Sequence, residues 1–199
     1  MASTIKVDTI DTPSGSVNIT VNRPLSGSGA SLTNLPATAL TSGIAVTANG
    51  EVTMSSQPAF SVKLSGADQN NIAVGSNVTI LLDTEIFDQN ADYNTGTYTF
   101  TAPVTGRYQL NVNLQLEDVD SGYTEYIDLS IITSNRIYRN LFDPQQQLNA
   151  DCYYFNLNLS ALADMDAGDT AYVTCKQHNG TAQSDVDANY TNFSGYLAC

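Results

Sequence analysis

An unbroken alternation of apolar and polar residues from 107 to 116 constrains the fold of this chain more than any other feature. One set of alternate positions holds Tyr108, Leu110, Val112, Leu114 and Leu116, and the other holds Arg107, Gln109, Asn111, Asn113 and Gln115. Successive side chains of a β-strand point to opposite faces of its sheet. The pattern therefore predicts a long strand with one buried face and one polar face.

Shorter patterns of the same kind, separated by turn residues, fill the chain after Pro58. We expect strands near residues 58–64, 77–87, 96–102, 106–117, 125–133, 136–142, 152–160, 170–177 and 190–198. Repeated short strands at this spacing predict an all-β sandwich or barrel. No long helical pattern occurs, and residues 159–169 are expected to form one helical turn at most.

Composition and charge exclude several classes of function. Only 14% of the residues are charged, and the net charge is -13 from 20 acidic and 7 basic residues. Phosphate recognition needs a basic surface, so a nucleic-acid partner is not expected. An anionic membrane surface would also repel the chain. No apolar run reaches the 18 or more residues of a spanning helix, so no membrane insertion is expected.

The chain divides near Pro58 into two predicted parts. Residues 1–57 carry 3 acidic and 2 basic residues, whereas residues 58–199 carry 17 and 5. The first part predicts an extended N-terminal arm, with short strands at 3–10 and 16–22 and a segment rich in Gly, Ser, Thr and Pro that cannot close a core of its own. Residues 44–55 predict a hairpin with a type I′ turn at Asn49–Gly50.

No catalytic residues are predicted. The lone histidine, His178, lies three positions after Cys175, near the end of a predicted strand, where the two side chains would be poorly placed for catalysis. Cys152, Cys175 and Cys199 have no metal-binding spacing, so we expect buried free thiols, of which Cys199 is the most reactive. The N-terminus lacks the apolar core of a signal peptide, so we expect folding in a reducing cytoplasm.

Five blocks after Pro58 are similar, in order, to the globular head of complement C1q, a domain shared with the tumour necrosis factor superfamily. They are "PAFSV" at 58–62, "FDQNADYNTGTYTFTAPVTGRYQLNV" at 87–112, "LSIITSNRIY" at 129–138, "DAGDTAYV" at 166–173 and "TNFSGYLAC" at 191–199. The resemblance implies a ten-stranded jelly-roll sandwich over residues 58–199 that forms homotrimers. It also implies that the sandwich or the subunit interface is filled by Phe100, Tyr108, Leu110, Phe193 and Tyr196.

The arm has a separate resemblance. "ASTIKVDTIDTPSG" and "GSGASLTNLPATAL" are similar to phrases in structural proteins of tailed bacteriophages, especially marine and cyanobacterial ones. Together the two resemblances predict a non-enzymatic protein on the virion surface. Its expected role is a homotrimeric decoration or cement protein of the capsid, attached to the major capsid protein or a tail protein through residues 1–57. A short tail fibre or receptor-binding tip, and a soluble ligand or lectin of the complement type, remain alternatives.

Calcium binding and glycan binding each have a simpler alternative explanation. Some complement-like heads bind calcium through loop aspartates, and Asp118, Asp120, Asp185 and Asp187 are the candidate ligands here; a solvated acidic loop is the simpler explanation. No other cofactor is expected. The 11 tyrosines could form a surface for a host glycan, although core or interface packing explains them more simply.

Overall fold

The computed structural model describes residues 44–47, 49–122 and 125–199, which all belong to the second of two units into which the chain divides, residues 40–199. This described part is all-β apart from one helical turn, α1 (Pro144–Gln147). Its strands are β1 (Ile44–Val46), β2 (Val52–Met54), β3 (Ala59–Lys63), β4 (Val78–Thr79), β5 (Thr84–Asp88), β6 (Tyr93–Asn94), β7 (Thr99–Thr101), β8 (Gly106–Val119), β9 (Ile127–Thr133), β10 (Ile137–Phe142), β11 (Cys152–Met165), β12 (Thr170–Gln177), β13 (Asp185–Val186) and β14 (Asn192–Leu197).

Two antiparallel six-stranded sheets build the sandwich. The first sheet has the order β11-β8-β14-β3-β5, with β13 also paired to β8. The second sheet has the order β10-β9-β12-β7-β6, with β4 also paired to β12. Neighbours in a sheet are mostly distant in sequence, as in a jelly roll. The predicted all-β jelly-roll sandwich is confirmed.

Strand β8 supplies the centre of the first sheet and of the core. Its apolar residues from Tyr108 to Leu116 are all buried, as the alternation predicts. An aromatic cluster forms between the sheets, where the Phe60 ring lies 4.6 Å from that of Phe100 and 5.0 Å from that of Phe193. Of the five residues expected in the sandwich or interface, four are buried, whereas Tyr196 is 49% exposed on the outer surface of the first sheet.

The corner before β8 is held by specific contacts. The Tyr108 hydroxyl donates a hydrogen bond to the Val104 carbonyl at 2.7 Å, which ties the corner to the strand that follows it. Gly106 lies against the C-terminus of the chain, where an added Cβ would be 2.7 Å from the Cys199 carbonyl oxygen. The corner therefore needs a glycine because the last residues of the chain pass directly over it.

Two predicted elements differ from the observed ones. The single strand expected at 77–87 is two strands in different sheets, because a tight turn, in which the Leu82 N–H donates to the Ile80 carbonyl, carries the chain across the sandwich. The helical turn allowed at 159–169 is instead the second half of β11, which pairs with β8 as far as Met165. Pairing along a long neighbouring strand outweighs the helix preference of its alanines and leucines.

The predicted hairpin at 44–55 is present as β1 and β2, but its turn is different. The Thr47 N–H donates to the Glu51 carbonyl, so three residues rather than two form the loop, and Gly50 has a φ of +90° at its end. Three-residue hairpin loops require a left-handed residue at this position, and glycine takes it without strain.

Candidate functional site

The outer surface of the first sheet is polar and uncharged at its centre. Cross-strand register brings polar side chains into rows, such as Asn158 opposite Asn113 and Asn113 opposite Asn192. We name this surface the amide face; it comprises Gln109, Asn111, Asn113, Gln115, Asn156, Asn158, Ser160, Asn192 and Ser194. The face exists because the polar residues Asn111 and Asn113 of β8 are matched by polar residues at the corresponding positions of both neighbouring strands.

Hydrogen bonds fix part of the amide face in place. The Gln109 side-chain amide donates to the Ser160 hydroxyl at 2.8 Å, and this hydroxyl donates to the Asn111 side-chain carbonyl at 2.9 Å. A shallow hollow of about 300 Å³ lies over Asn111, Asn158 and Asn192. Ordered amides around a hollow can accept and donate hydrogen bonds to another surface without first paying for a large loss of side-chain entropy.

Exposed apolar side chains lie around the amide face. Phe87 is 51% exposed opposite Ser61, and both Leu162 and Tyr196 are about half exposed opposite Gln109. Tyr154 is exposed at the far end, opposite Glu117. Aromatic and aliphatic side chains beside a charge-free centre are typical of a protein interface, in which charged residues are depleted.

The strand register shows which residues lie at each end of the sandwich. One end contains Pro58, Gly106 and Leu197, and there the Leu197 N–H donates a hydrogen bond to the Pro58 carbonyl. The other end, at which β8 finishes and β11 begins, carries the carboxylates of Asp68, Glu117, Asp118, Asp120, Glu125, Asp143, Asp151, Asp185 and Asp187. We name it the acidic end. It lies opposite the end at which the chain enters the sandwich.

A buried carboxylate and a partly buried one meet where the acidic end joins the amide face. Asp187 is 5% exposed, and its Oδ1 accepts the N–H groups of Asn189 and Tyr190. Partial burial raises the pKa of Glu117 to about 6, and a hydrogen bond with Asp187 and the charges of Asp68, Asp187 and Asp118 add to this effect. Glu117 begins the acidic stretch at 117–120 but was not among the four candidate ligands, although the alternation along β8 places it on the same face as Gln115.

The four aspartates predicted as calcium ligands lie in two places. Asp118 and Asp120 line a cavity of about 340 Å³ together with Asp151, Cys152 and Tyr153. Asp185 accepts a hydrogen bond from the Asn71 N–H, and Asp187 lies beside Glu117. Within the described ranges, no three His, Cys, Asp or Glu side chains converge as a metal site requires. Calcium binding by this set stays a prediction.

The histidine and the cysteines have separate surroundings. His178 stacks on Tyr126, and its Nδ1 lies 3.1 Å from a Glu125 carboxylate oxygen. Burial raises the pKa of the Cys175 thiol to about 12, which keeps the thiol protonated and unreactive. Cys152 is half-buried and Cys199 is exposed, so the burial expected of all three thiols is found only at Cys175. Among the described residues, no helix has the length and apolar character needed to cross a membrane.

Comparison with known proteins identifies one family. The family model described as "C1q domain" matches residues 59–198. The globular domain of zebrafish complement 1qA protein shares 20% identity at a TM-score of 0.50, over 72% of this chain and 98% of its own. Murine APRIL shares 11% identity at a TM-score of 0.49, over 71% and 98%. No curated protein matches the chain.

Proposed function

Because this chain belongs to the C1q domain family, we propose that it is a non-enzymatic structural protein of a tailed-bacteriophage virion that acts as a homotrimer. In this proposal the head, residues 58–199, forms the trimer and faces outward. Residues 1–57 form the attachment arm; of these, residues 1–43 and 48 lie outside the described residues. Relatives with this fold form homotrimers, which supports self-association of the head.

The amide face is the observation that carries the self-association. Copies of a chain with a net charge of -13 repel one another, and most strongly where carboxylates face each other. The amide face has no charged residue at its centre, and it has hydrogen-bonding groups and exposed rings. It is therefore the surface of the first sheet on which identical copies approach at the lowest electrostatic cost.

The role on the capsid rests on the arm and on symmetry. The first residues are similar to those of phage structural proteins, and three arms on one trimer would bind a particle with a high effective concentration. A trimer matches the three-fold positions of a capsid directly. We therefore favour a decoration or cement protein that braces neighbouring subunits of the major capsid protein.

Two other roles fit part of the same observations. A short tail fibre or receptor-binding tip would use the outward end to adhere to a host glycan, and it would attach to a tail protein. A soluble ligand or lectin of the complement type is consistent with the family match alone. The location of the chain on an assembled particle separates these roles from the decoration role.

Add-back to particles that lack this protein tests the proposal. Full-length chain and a chain without residues 1–57 are each mixed with such particles, and bound protein is measured after sedimentation and located by electron microscopy. We expect the full chain to occupy three-fold positions of the capsid and the truncated chain to remain unbound.

Occupancy of the tail tip by the full chain would favour the fibre role, and absence from every particle position would favour the soluble ligand. Normal decoration by the truncated chain would show that attachment runs through the jelly roll and would overturn the role given to the arm. Circular dichroism of the truncated chain controls for loss of folding.

A further inference from the structure

The hairpin that precedes the jelly roll, β1 and β2, has one apolar face that is largely open to solvent. Ile44 pairs with Met54, and Val52 lies two positions before Met54, so the three side chains point to the same side of the hairpin. Val52 is 65% exposed, Met54 is 47% exposed and Ile44 is half-buried. We name these three side chains the hairpin face.

Two strands alone support such a face only weakly. Among the described residues, β1 and β2 form a sheet of their own, with which no third strand pairs. A two-stranded sheet is marginally stable in water unless a further element packs on its apolar side. An apolar partner on the hairpin face would therefore supply the burial that the hairpin lacks within the described part of the chain.

Side-chain hydrogen bonds fix the hairpin to the head. The Gln89 side-chain amide donates to the Met54 carbonyl at 2.8 Å, and the Asn90 side-chain amide donates to the Ser56 carbonyl at 2.8 Å. The chain then continues into β3, which lies between β14 and β5 in the sheet that carries the amide face. The hairpin is thus held at one end of the sheet whose outer surface is proposed for self-association.

The amide face has apolar side chains at the same end. Leu162 and Tyr196 are both opposite Gln109, close to the start of β8, and both are about half exposed. Tyr196 is also the cross-strand neighbour of Ala59, which follows Met54 by five residues. Exposed apolar groups therefore lie on the border of the proposed interface that is next to the hairpin.

The charge of the hairpin segment favours a second copy of this chain as the partner. Residues 44–57 contain one charged side chain, Glu51, in a chain with a net charge of -13. A strongly charged partner would gain little electrostatic attraction from this segment, whereas identical copies repel one another little there. An apolar face with few charges is also the composition found at the centre of contacts between identical subunits.

We propose that the hairpin faces of three copies pack against one another beside the jelly rolls and form a second contact region of the trimer, which we name the collar. This inference rests on the proposed homotrimer. It assigns residues 44–54 of the arm to contact between copies and not to contact with the particle. The collar gives each hairpin the apolar partner that a two-stranded sheet needs.

A charge in the hairpin face tests the collar. The variant Val52→Glu, in the full-length chain, would bury a carboxylate without a partner between copies. We expect the concentration at which the trimer dissociates, measured by light scattering of a dilution series, to rise by at least about tenfold. Ser55→Glu is the matched control, because it adds the same charge at an exposed position just after β2. This control should dissociate as the unchanged protein does.

Cross-linking tests directly whether copies meet at the hairpin face. Val52→Cys is made in a Cys199→Ser background, which removes the exposed native thiol, and is treated with oxidised glutathione. A disulfide forms only where the two Cα atoms come within about 7 Å. We expect disulfide-linked dimers to form at least about tenfold faster than with Ala67→Cys, an exposed position beyond the other end of β3.

The outcomes separate failure of the collar from failure of the trimer. A monomeric unchanged protein would overturn both proposals, whereas a trimer that Val52→Glu leaves unaltered would overturn the collar alone. Equal weakening by Ser55→Glu, or equal rates of cross-linking at the two positions, would also overturn it.

An intact trimer of Val52→Glu that no longer binds particles would identify the particle as the partner of the hairpin face and contradict the collar. Thermal unfolding at a concentration where each variant is monomeric checks the fold. Both glutamate variants should unfold as the unchanged head does, because Val52 and Ser55 are exposed in the single chain.

Discussion

Glu117 is the residue at which the fold most clearly changes the chemistry of a carboxyl group. Its folded-state pKa of about 6 lies above the ordinary value of 4.5, so the folded protein holds the proton more tightly than the unfolded chain does. The stabilisation from this proton is complete below pH 4.5 and is lost as the pH rises through about 6.

The first prediction therefore concerns the variant Glu117→Gln, which cannot lose a proton. With chelator present, the unfolding temperature of the unchanged protein should fall more steeply between pH 4.5 and 6 than that of the variant, which should be the more stable of the two at pH 7. Glu85→Gln, an exposed change in the same sheet, serves as the control. Parallel pH profiles for the unchanged protein and Glu117→Gln would rule out this role of Glu117.

Gly195 is a second position where one atom decides stability. A Cβ there would lie 2.7 Å from Leu110 Cδ2 and 2.8 Å from Phe60 Cε1, and both of these side chains are fully buried. Overpacking of a closed core costs about 1–3 kcal/mol, which is the loss of unfolding free energy we predict for Gly195→Ala in urea. The control, Gly96→Ala in an exposed turn, should change it by less than about 0.5 kcal/mol. Equal losses of unfolding free energy in the two variants would show that the core accommodates the added methyl group, and would contradict the prediction.

At the scale of the element, strand β8 joins the core to the amide face. One arginine in the centre of this face should block association, because a charge desolvated at an interface without a partner is costly. We predict that Asn111→Arg lowers the mass of the oligomer in light scattering. Asn77→Arg makes the same change at an exposed site before β4 and should leave the mass unchanged.

If both variants keep the mass of the unchanged protein, the amide face is not the contact surface. A loss of mass in both would instead indicate an effect of net charge. Unfolding curves of both variants separate a loss of association from a loss of folding.

The strands could be predicted where the alternation of apolar and polar residues and the turn residues between strands define them. The alternation along β8 and the corner from Pro103 to Gly106 are local signals, and both the buried face and the polar face followed from them. The split of residues 77–87 was not predictable, because the apolar residues between Val78 and Phe87 do not mark where one strand ends, and only pairing with β12 or β3 assigns each part to a sheet.

The candidate site depends on contacts that are distant in sequence. Asp187 meets Glu117 only because β13 pairs with β8, and no short motif records that pairing. The same dependence on long-range pairing explains why the four predicted aspartates lie in two separate places. Asp118 has a φ of +54°, and it faces the cavity with Asp151 rather than the amide face.

At the scale of the whole molecule, the two ends of the head have different properties. The chain enters beside Leu197, where Gln57 donates a side-chain hydrogen bond to the Leu197 carbonyl at 2.7 Å. The opposite end carries the concentration of carboxylates. A trimer built through the amide face would place three entering chains at one end and three acidic ends at the other, which suits attachment at one end and exposure at the other.

The mass of the full-length protein in solution tests the central claim, association through the amide face, most directly. Light scattering at micromolar concentration should give three times 21.3 kDa, and Asn111→Arg should reduce this to a single chain. A monomer for the unchanged protein would contradict the account, because neither the proposed symmetry nor the three-armed attachment survives without the trimer.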